Sequence, residues 1–282
     1  MKIAVQLQKA AVALVRIIPL KLADKVAEKL ALVFCSLSEK RRGHIERNLQ
    51  HIFFDENLSQ SQINKLIKST FVNYARTMVD FLRLNFMSER DFSVDGCGYE
   101  HFPQALKHNR GCIMLTLHIG NWDFAGAYLA SIGVPMNALV EETEPEMFDL
   151  YTRHRERFGM KTFPLSKAGY AFLHTIKNNR VLAVLGDRDI LKNGITVDFF
   201  SGERNIPRGL GDIIVKRKIP VVFGYLVLNA PDKEKRYLGV CGPPMFFEKS
   251  PEEFNKAMVK KFEECIRRFP DQWMLFESDW VA

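Results

Sequence analysis

The run Ile113-Met114-Leu115-Thr116-Leu117-His118-Ile119-Gly120-Asn121-Trp122-Asp123 holds the two side chains that general acid–base chemistry most often uses. A neutral histidine can take the proton of an attacking hydroxyl, while a carboxylate fixes its tautomer and stabilises the imidazolium that forms. Ile113 to Leu117 is an apolar stretch of strand length, and Gly120 marks where a buried strand would turn into the next helix. In α/β sheets ligands bind beyond the carboxyl ends of the strands, which is where His118 falls. Residues five apart diverge on one regular helix, so His118 and Asp123 can meet only with the histidine in the loop and the aspartate in the first helical turn. Gly120-Asn121 permits that path, and its backbone N–H groups are candidate oxyanion donors. A plainer reading also exists: aspartate is favoured near a helix N-terminus, and a histidine at a strand end can simply be hydrogen bonded.

A second group of charges follows the apolar segment Val181-Leu182-Ala183-Val184-Leu185. Asp187 and Asp189 flank Arg188 there, and can fix an arginine, support His118 or bind an acceptor. Arg155 and Arg157 lie in a helical stretch, Tyr151 to Arg157, where a cation can steady an oxyanion or hold a phosphate, or form a solvated basic face. A calcium loop after Asp187 is disfavoured because Gly194 is misplaced for the required turn. The Gly-x-Ser-x-Gly elbow, the Walker loop, the dinucleotide fingerprint and the His-Glu-x-x-His zinc motif are absent from the sequence.

Elements that would position these residues can be read from periodicity. Strands are predicted at 112–117, 135–140, 161–165, 181–185, 195–199, 219–228 and 237–241, with helices near 101–108, 122–131, 145–158, 167–178, 208–217 and 251–268. The alternation predicts an α/β fold, a single sheet flanked by helices, mixed because 181–199 reads as a strand pair. Ser59-x-x-Gln62 forms a capping box that opens a long amphipathic helix running to about Asn85.

The first 38 residues form an N-terminal amphipathic helical annex. Ile3, Leu7, Ala10, Leu14 and Ile18 recur at helical spacing, Pro19 ends the pattern, and Leu22, Val26, Leu30, Val33 and Leu37 resume it. Lys2, Lys9 and Arg16 lie among the first set, and Asp24, Lys25, Glu28 and Lys29 occupy other faces of the second, as on helices that rest in a membrane interface or as on ordinary packed surface helices. Neither segment has the length of apolar sequence that a membrane span needs, and Arg16 and Lys21 argue against a cleaved signal peptide. Residues 39–282 are expected to form the catalytic domain. No repeat or flexible linker interrupts them.

Composition narrows the partners. The 282 residues carry a net charge of +7, which favours nucleic acid, anionic lipid headgroups or an acidic carrier. The aromatic residues sit mostly in apolar periodic segments and are not interleaved with basic ones as a nucleic-acid stacking platform requires, so no nucleic acid is expected. Five cysteines without Cys-x-x-Cys spacing suggest reduced thiols, with neither a disulfide framework nor a zinc site.

His118-x4-Asp123 after a buried strand resembles the first motif of the glycerolipid and lysophospholipid acyltransferase superfamily, and its flanks resemble the bacterial lipid A late acyltransferase branch. Arg41-Arg42 through Asn48-Leu49 and Phe53, then Arg155-Glu156-Arg157-Phe158-Gly159, are similar to segments of that branch, in order. Gly186-Asp187-Arg188-Asp189 resembles its Pro-Asp-x-Asp turn, with Gly186 and Arg188 as departures. Val197-Asp198-Phe199-Phe200-Ser201-Gly202, Arg208-Gly209 and Ile219-Pro220-Val221-Val222 complete a match over roughly residues 40 to 280. The ending Trp273-Met274-Leu275-Phe276-Glu277-Ser278-Asp279-Trp280 lacks the Trp-x-His-Arg-Arg segment common in lipid A enzymes and looks more like the wider branch that acylates other glycolipids.

The resemblance implies an acyltransferase, peripheral on the cytoplasmic face of the bacterial inner membrane, moving a fatty acyl group to a hydroxyl of a glycolipid. The donor would be a thioester of acyl carrier protein or coenzyme A. In this reading His118 and Asp123 are catalytic, and either the backbone near Gly120 and Asn121 or Arg157, taken as the inward arginine, steadies the oxyanion. Asp187, Asp189, Arg155 and Arg208 bind substrate or support the centre. No cofactor or metal is called for. Two other readings remain: a metal-dependent hydrolase using His118, Asp123, Asp187 and Asp189 as ligands, and a non-catalytic basic protein that binds membrane or nucleic acid.

Overall fold

Pro19 breaks the helical annex into two helices, because its ring removes a donor from the helical ladder. In the computed structural model these are α1 (Lys2–Ile17) and α2 (Leu20–Leu37). The structure describes residues 2–277 and 279–281, and the side chains of Lys2, Ile3, Ala4, Val5 and Leu7 lie outside the described set. Next come α3 (Glu39–Ile52) and α4 (Gln60–Arg83). The α4 capping box forms as the sequence predicts: the Ser59 hydroxyl accepts from the Gln62 N–H, and the Gln62 side chain accepts from the Ser59 N–H. Both α1 and α2 pack along α4. Val15 and Ala23 share a buried cluster with Val79 and Leu82 of α4 and with Phe124 and Leu226 of the sheet region, so the annex is bonded to the fold by apolar contact.

Strands and helices alternate through the rest: β1 (Val94–Cys97), α5 (His101–Leu106), β2 (Cys112–Thr116), α6 (Trp122–Ser131), β3 (Met136–Val140), α7 (Pro145–Glu156), β4 (Lys161–Pro164) and α8 (Ala168–Lys177). After them run β5 (Val181–Leu185), β6 (Ile195–Phe199), β7 (Gly202–Ile206), α9 (Leu210–Arg217), β8 (Val221–Leu228), β9 (Tyr237–Cys241) and α10 (Pro251–Arg268). Seven strands form one sheet in the order β1-β9-β8-β2-β5-β3-β4. Every residue of β2 is buried, as expected of a central parallel strand covered on both faces.

The sheet is mixed, but for a different reason from the one the sequence suggests. β5 pairs in parallel with β2 and β3, and the antiparallel step is β8 against β9. Residues 195–199 leave the sheet and form a separate hairpin with β7, closed by a tight turn in which Phe200 has φ of 49°. The sequence reading missed β7, because Gly-Glu-Arg-Asn-Ile has little apolar alternation, and β1, because Val-Asp-Gly-Cys has none.

A buried polar network fastens the annex to the sheet. Arg236 donates from Nη1 and Nη2 to Asp24 of α2 at 2.7 and 2.9 Å and from Nε to Asp80 of α4 at 2.7 Å. The Tyr237 hydroxyl also donates to Asp80, and Asn121 Nδ2 donates to that hydroxyl at 2.9 Å and to the Thr77 carbonyl at 3.1 Å. Burial raises the Asp80 carboxyl above its ordinary value, and Arg236 opposes that rise. Arg236→Met strands Asp80 without its charge partner and is expected to cost about 3–5 kcal/mol, read as a lower urea midpoint. An unchanged midpoint would show that the network holds nothing together.

Candidate active site

Register brings the chemistry together. β2 and β5 pair with Thr116 opposite Leu185, so the residues two positions further on, His118 and Asp187, emerge side by side at the strands' carboxyl ends. His118 Nδ1 lies 2.7 Å from Asp187 Oδ1, and the His118 backbone N–H donates to both carboxylate oxygens at 3.2 and 3.1 Å. The Trp273 indole donates to Asp187 Oδ2 at 2.9 Å. Burial alone would raise the Asp187 carboxyl, but the charge and hydrogen bond of His118, the indole and the backbone N–H outweigh it and hold the group at about 2. With Nδ1 committed to this carboxylate, Nε2 is the ring nitrogen left for another partner.

The loop carrying His118 is held by its backbone. Met274 N–H donates to the His118 carbonyl at 2.7 Å, Gly120 N–H to the Gln272 carbonyl at 2.8 Å and Asn121 N–H to the Leu226 carbonyl at 2.9 Å. Gly120 has φ of +57°, and a Cβ there would stand 2.0 Å from the Leu226 oxygen, so only glycine fits. These bonds correct the proposed oxyanion role of Gly120 and Asn121, whose N–H groups are already committed. The Asn121 side chain is committed too, capping α6 by accepting from Phe124 N–H.

Asp123 is placed differently from the sequence reading. It stands in the first turn of α6 and faces α7, where Arg155 donates to it from Nε at 2.7 Å and from Nη2 at 3.3 Å. The carboxylate on His118 Nδ1 is Asp187. Burial opposes the charge of Arg155, but Asp123 prevails and raises the guanidinium above its ordinary value. Arg157 is not the inward arginine either. Two residues along a helix turn it about 200° from Arg155, and its exposed guanidinium donates from Nε and Nη2 to the Met87 carbonyl at 3.2 and 2.9 Å. Arg157→Ala should leave turnover unchanged and shift stability within about 0.5 kcal/mol, whereas Arg155→Ala should lower turnover and Arg155→Lys should rescue poorly for want of a planar fork. Equal loss of kcat/KM at 155 and 157 would refute that assignment.

Asp189 is buried and serves its own loop, accepting from the Asn193 N–H at 3.3 Å and the Gly194 N–H at 2.8 Å. Arg188 lies 3.0 Å from Glu277 and 3.6 Å from Glu141. The four ligands of the hydrolase reading therefore do not converge, since Asp123 turns to Arg155 and Asp189 to its loop. Among the described residues no group of three His, Cys, Asp or Glu side chains is placed to hold a metal ion.

Two residues that the sequence reading passed over as site residues support the pair from behind. Trp273 is one. The other is Arg204, buried in β7, with its guanidinium carbon 5.1 Å from the Trp273 ring, 5.0 Å from Trp280 and 5.7 Å from Phe199. Its Nη2 lies 3.5 Å from the Asp187 carbonyl and 3.7 Å from Asp279. An arginine in a polar five-residue strand reads as solvated, and only the packing of the C-terminal tryptophans over it could have said otherwise.

His118 opens onto a cavity of about 520 Å³ with two kinds of wall. Asp123, Arg155 and Arg208 contribute polar lining, while Met114, Phe172 and Ala183 line an apolar recess against the sheet. Among the described residues no helix is long and apolar enough to cross a membrane.

A buried carboxylate–histidine pair thus stands at the carboxyl ends of central parallel strands in an α/β fold, facing a half-apolar cavity. The family described as bacterial lipid A biosynthesis acyltransferase matches residues 2–281, and the chain belongs to it; it is an acyltransferase. The chain is 24% identical over 232 residues to the phosphatidylinositol mannoside acyltransferase of Mycolicibacterium smegmatis, covering 77% of this chain and 73% of the relative. The protein of that name in Mycobacterium tuberculosis is 24% identical over 237 residues, 77% of this chain and 71% of its own. The lipid A biosynthesis acyltransferase of Haemophilus influenzae is 24% identical over 265 residues, 93% and 82% respectively.

Proposed function

We propose that the protein transfers a fatty acyl group from a thioester to a hydroxyl of a membrane glycolipid, with His118 as general base and Asp187 as the carboxylate that orients it. The observation that carries this reading is the 2.7 Å contact between His118 Nδ1 and the buried Asp187, with the ring opening onto the half-apolar cavity. The acceptor oxygen attacks the thioester carbonyl as Nε2 takes its proton. The C–S bond then breaks, and the imidazolium returns the proton to the departing thiol, so no covalent enzyme intermediate is needed. Arg155, fixed by Asp123, and Arg208 line the cavity and in this reading steady the oxyanion or bind a headgroup phosphate. The apolar recess takes the donor's acyl chain.

A glycolipid acceptor is supported by the names of the relatives, which act on lipid A and on phosphatidylinositol mannoside. The donor is a thioester of acyl carrier protein or coenzyme A, both acidic and suited to a chain of net charge +7. Mass spectrometry of lipids from cells with and without the gene tests the acceptor: one glycolipid species should lose an acyl group's mass. Identical lipid profiles would refute it.

Residues 1–38 attach the enzyme peripherally to the cytoplasmic face of the inner membrane. Ile17, Leu30, Val33 and Leu37 stand exposed, Ile17 and Leu37 at 80% and 78%, beside Lys21, Lys25 and Lys29. Vesicle binding should weaken with salt, and Ile17→Asp with Leu37→Asp should weaken it further without unfolding the protein. Undiminished binding of the double variant would remove the annex from the attachment.

A further inference from the structure

A second apolar groove, of about 450 Å³, runs between α1, α2 and α4 and takes no part in the chemistry above. Ala27 of α2 and Ala75 and Val79 of α4 line it, and small residues facing one another are what leave it open. Its rim is formed by Leu14, Val26, Leu30 and Phe34, all substantially exposed. We infer that this groove holds a hydrocarbon chain of the lipid acceptor, drawn from the bilayer while its headgroup hydroxyl enters the catalytic cavity. This rests on the glycolipid-acceptor reading and deepens it.

Three observations favour that occupant. Tyr74 and Met78 line both the groove and the catalytic cavity, so one side-chain layer of α4 separates them and a single lipid can have its chain in one and its headgroup in the other. The rim belongs to the exposed apolar surface of α1 and α2, the surface proposed above to attach to the membrane, whereas the donor's chain has the recess against the sheet. The groove also carries a cation: the exposed Arg41 guanidinium sits 5.0 Å over the Phe34 ring, where an anionic headgroup at the interface would meet it. Burying an otherwise exposed groove and a chain together removes apolar surface from water on both sides.

Two variants fill the groove without touching the site: Ala75→Trp at its floor and Val26→Trp at its rim. In detergent-free buffer, a fluorescent fatty acid should bind the full-length wild-type protein at two sites, one displaced by a non-cleavable acyl-coenzyme A thioether and one not. Either variant that remains folded by circular dichroism should lose the undisplaced site. Such a variant should also raise KM for the vesicle-borne glycolipid by about tenfold, the loss expected when roughly two methylene groups lose their burial, with KM for the thioester unchanged. A single, fully displaced site in the wild type, or two sites in both variants, would overturn the inference. Binding needs no turnover, so this result stands apart from failure of acyl transfer itself.

Discussion

His118→Ala is expected to lower acyl transfer by about a hundredfold to ten-thousandfold, the usual cost of losing a general base. The expectation is specific because the fold has other holds on this loop. The backbone bonds of His118, Gly120 and Asn121 to Asp187, Met274, Gln272 and Leu226 do not involve the imidazole, and Asp187 retains the Trp273 indole. The variant should therefore fold, bind vesicles as the wild type does and keep its affinity for the thioester, so the loss falls on kcat. Steady-state kinetics with a spectroscopic thiol assay separates the two parameters. Near-wild-type turnover in a folded variant would remove His118 from the chemistry.

Asp187→Asn is the second large effect, expected at up to about ten-thousandfold in kcat. An amide can donate to Nδ1 as readily as accept from it, and donation would leave the ring's proton on Nε2, where a base is needed. Asp123→Asn should behave differently. It loosens Arg155 and should cost less, because the geometry ties Asp123 to His118 only through the shared cavity wall. A larger loss at 123 than at 187 would return Asp123 to the role of orienting carboxylate. The pH dependence of stability gives a second readout. The folded value of Asp187, about 2, lies below the ordinary 3.8, so its contribution is fully present above 3.8 and lost as pH falls towards 2. Acid unfolding of the wild type should show that loss, and Asp187→Asn should lack it.

Much of this arrangement was legible in the residues. Apolar runs marked β2, β3, β5 and β8, the Ser59 box marked the start of α4, and the run Ile113 to Leu117 placed His118 just beyond a buried strand's carboxyl end. Pairing was harder to read. Asp123 is near His118 in sequence, but Asp187 is near it in space only because β5 lies beside β2 with Thr116 opposite Leu185, and single-strand periodicity carries no strand order. The choice between Arg155 and Arg157 likewise depends on which face α7 turns to α6, a matter of packing that charge pattern alone does not fix. Arg204 was hidden for a related reason: its burial is made by Trp273 and Trp280, residues distant in the chain.

The most direct measurement is the balance of products when purified full-length protein is given an acyl thioester, labelled in its acyl chain, and glycolipid in vesicles. Acyl transfer to a hydroxyl requires one free thiol for each new glycolipid ester, with the label recovered in alkali-labile form on the glycolipid. That equality is the expected result, and His118→Ala should abolish both products together. Thiol release accompanied by labelled free fatty acid, with no ester on the glycolipid, would contradict it and make water the acceptor.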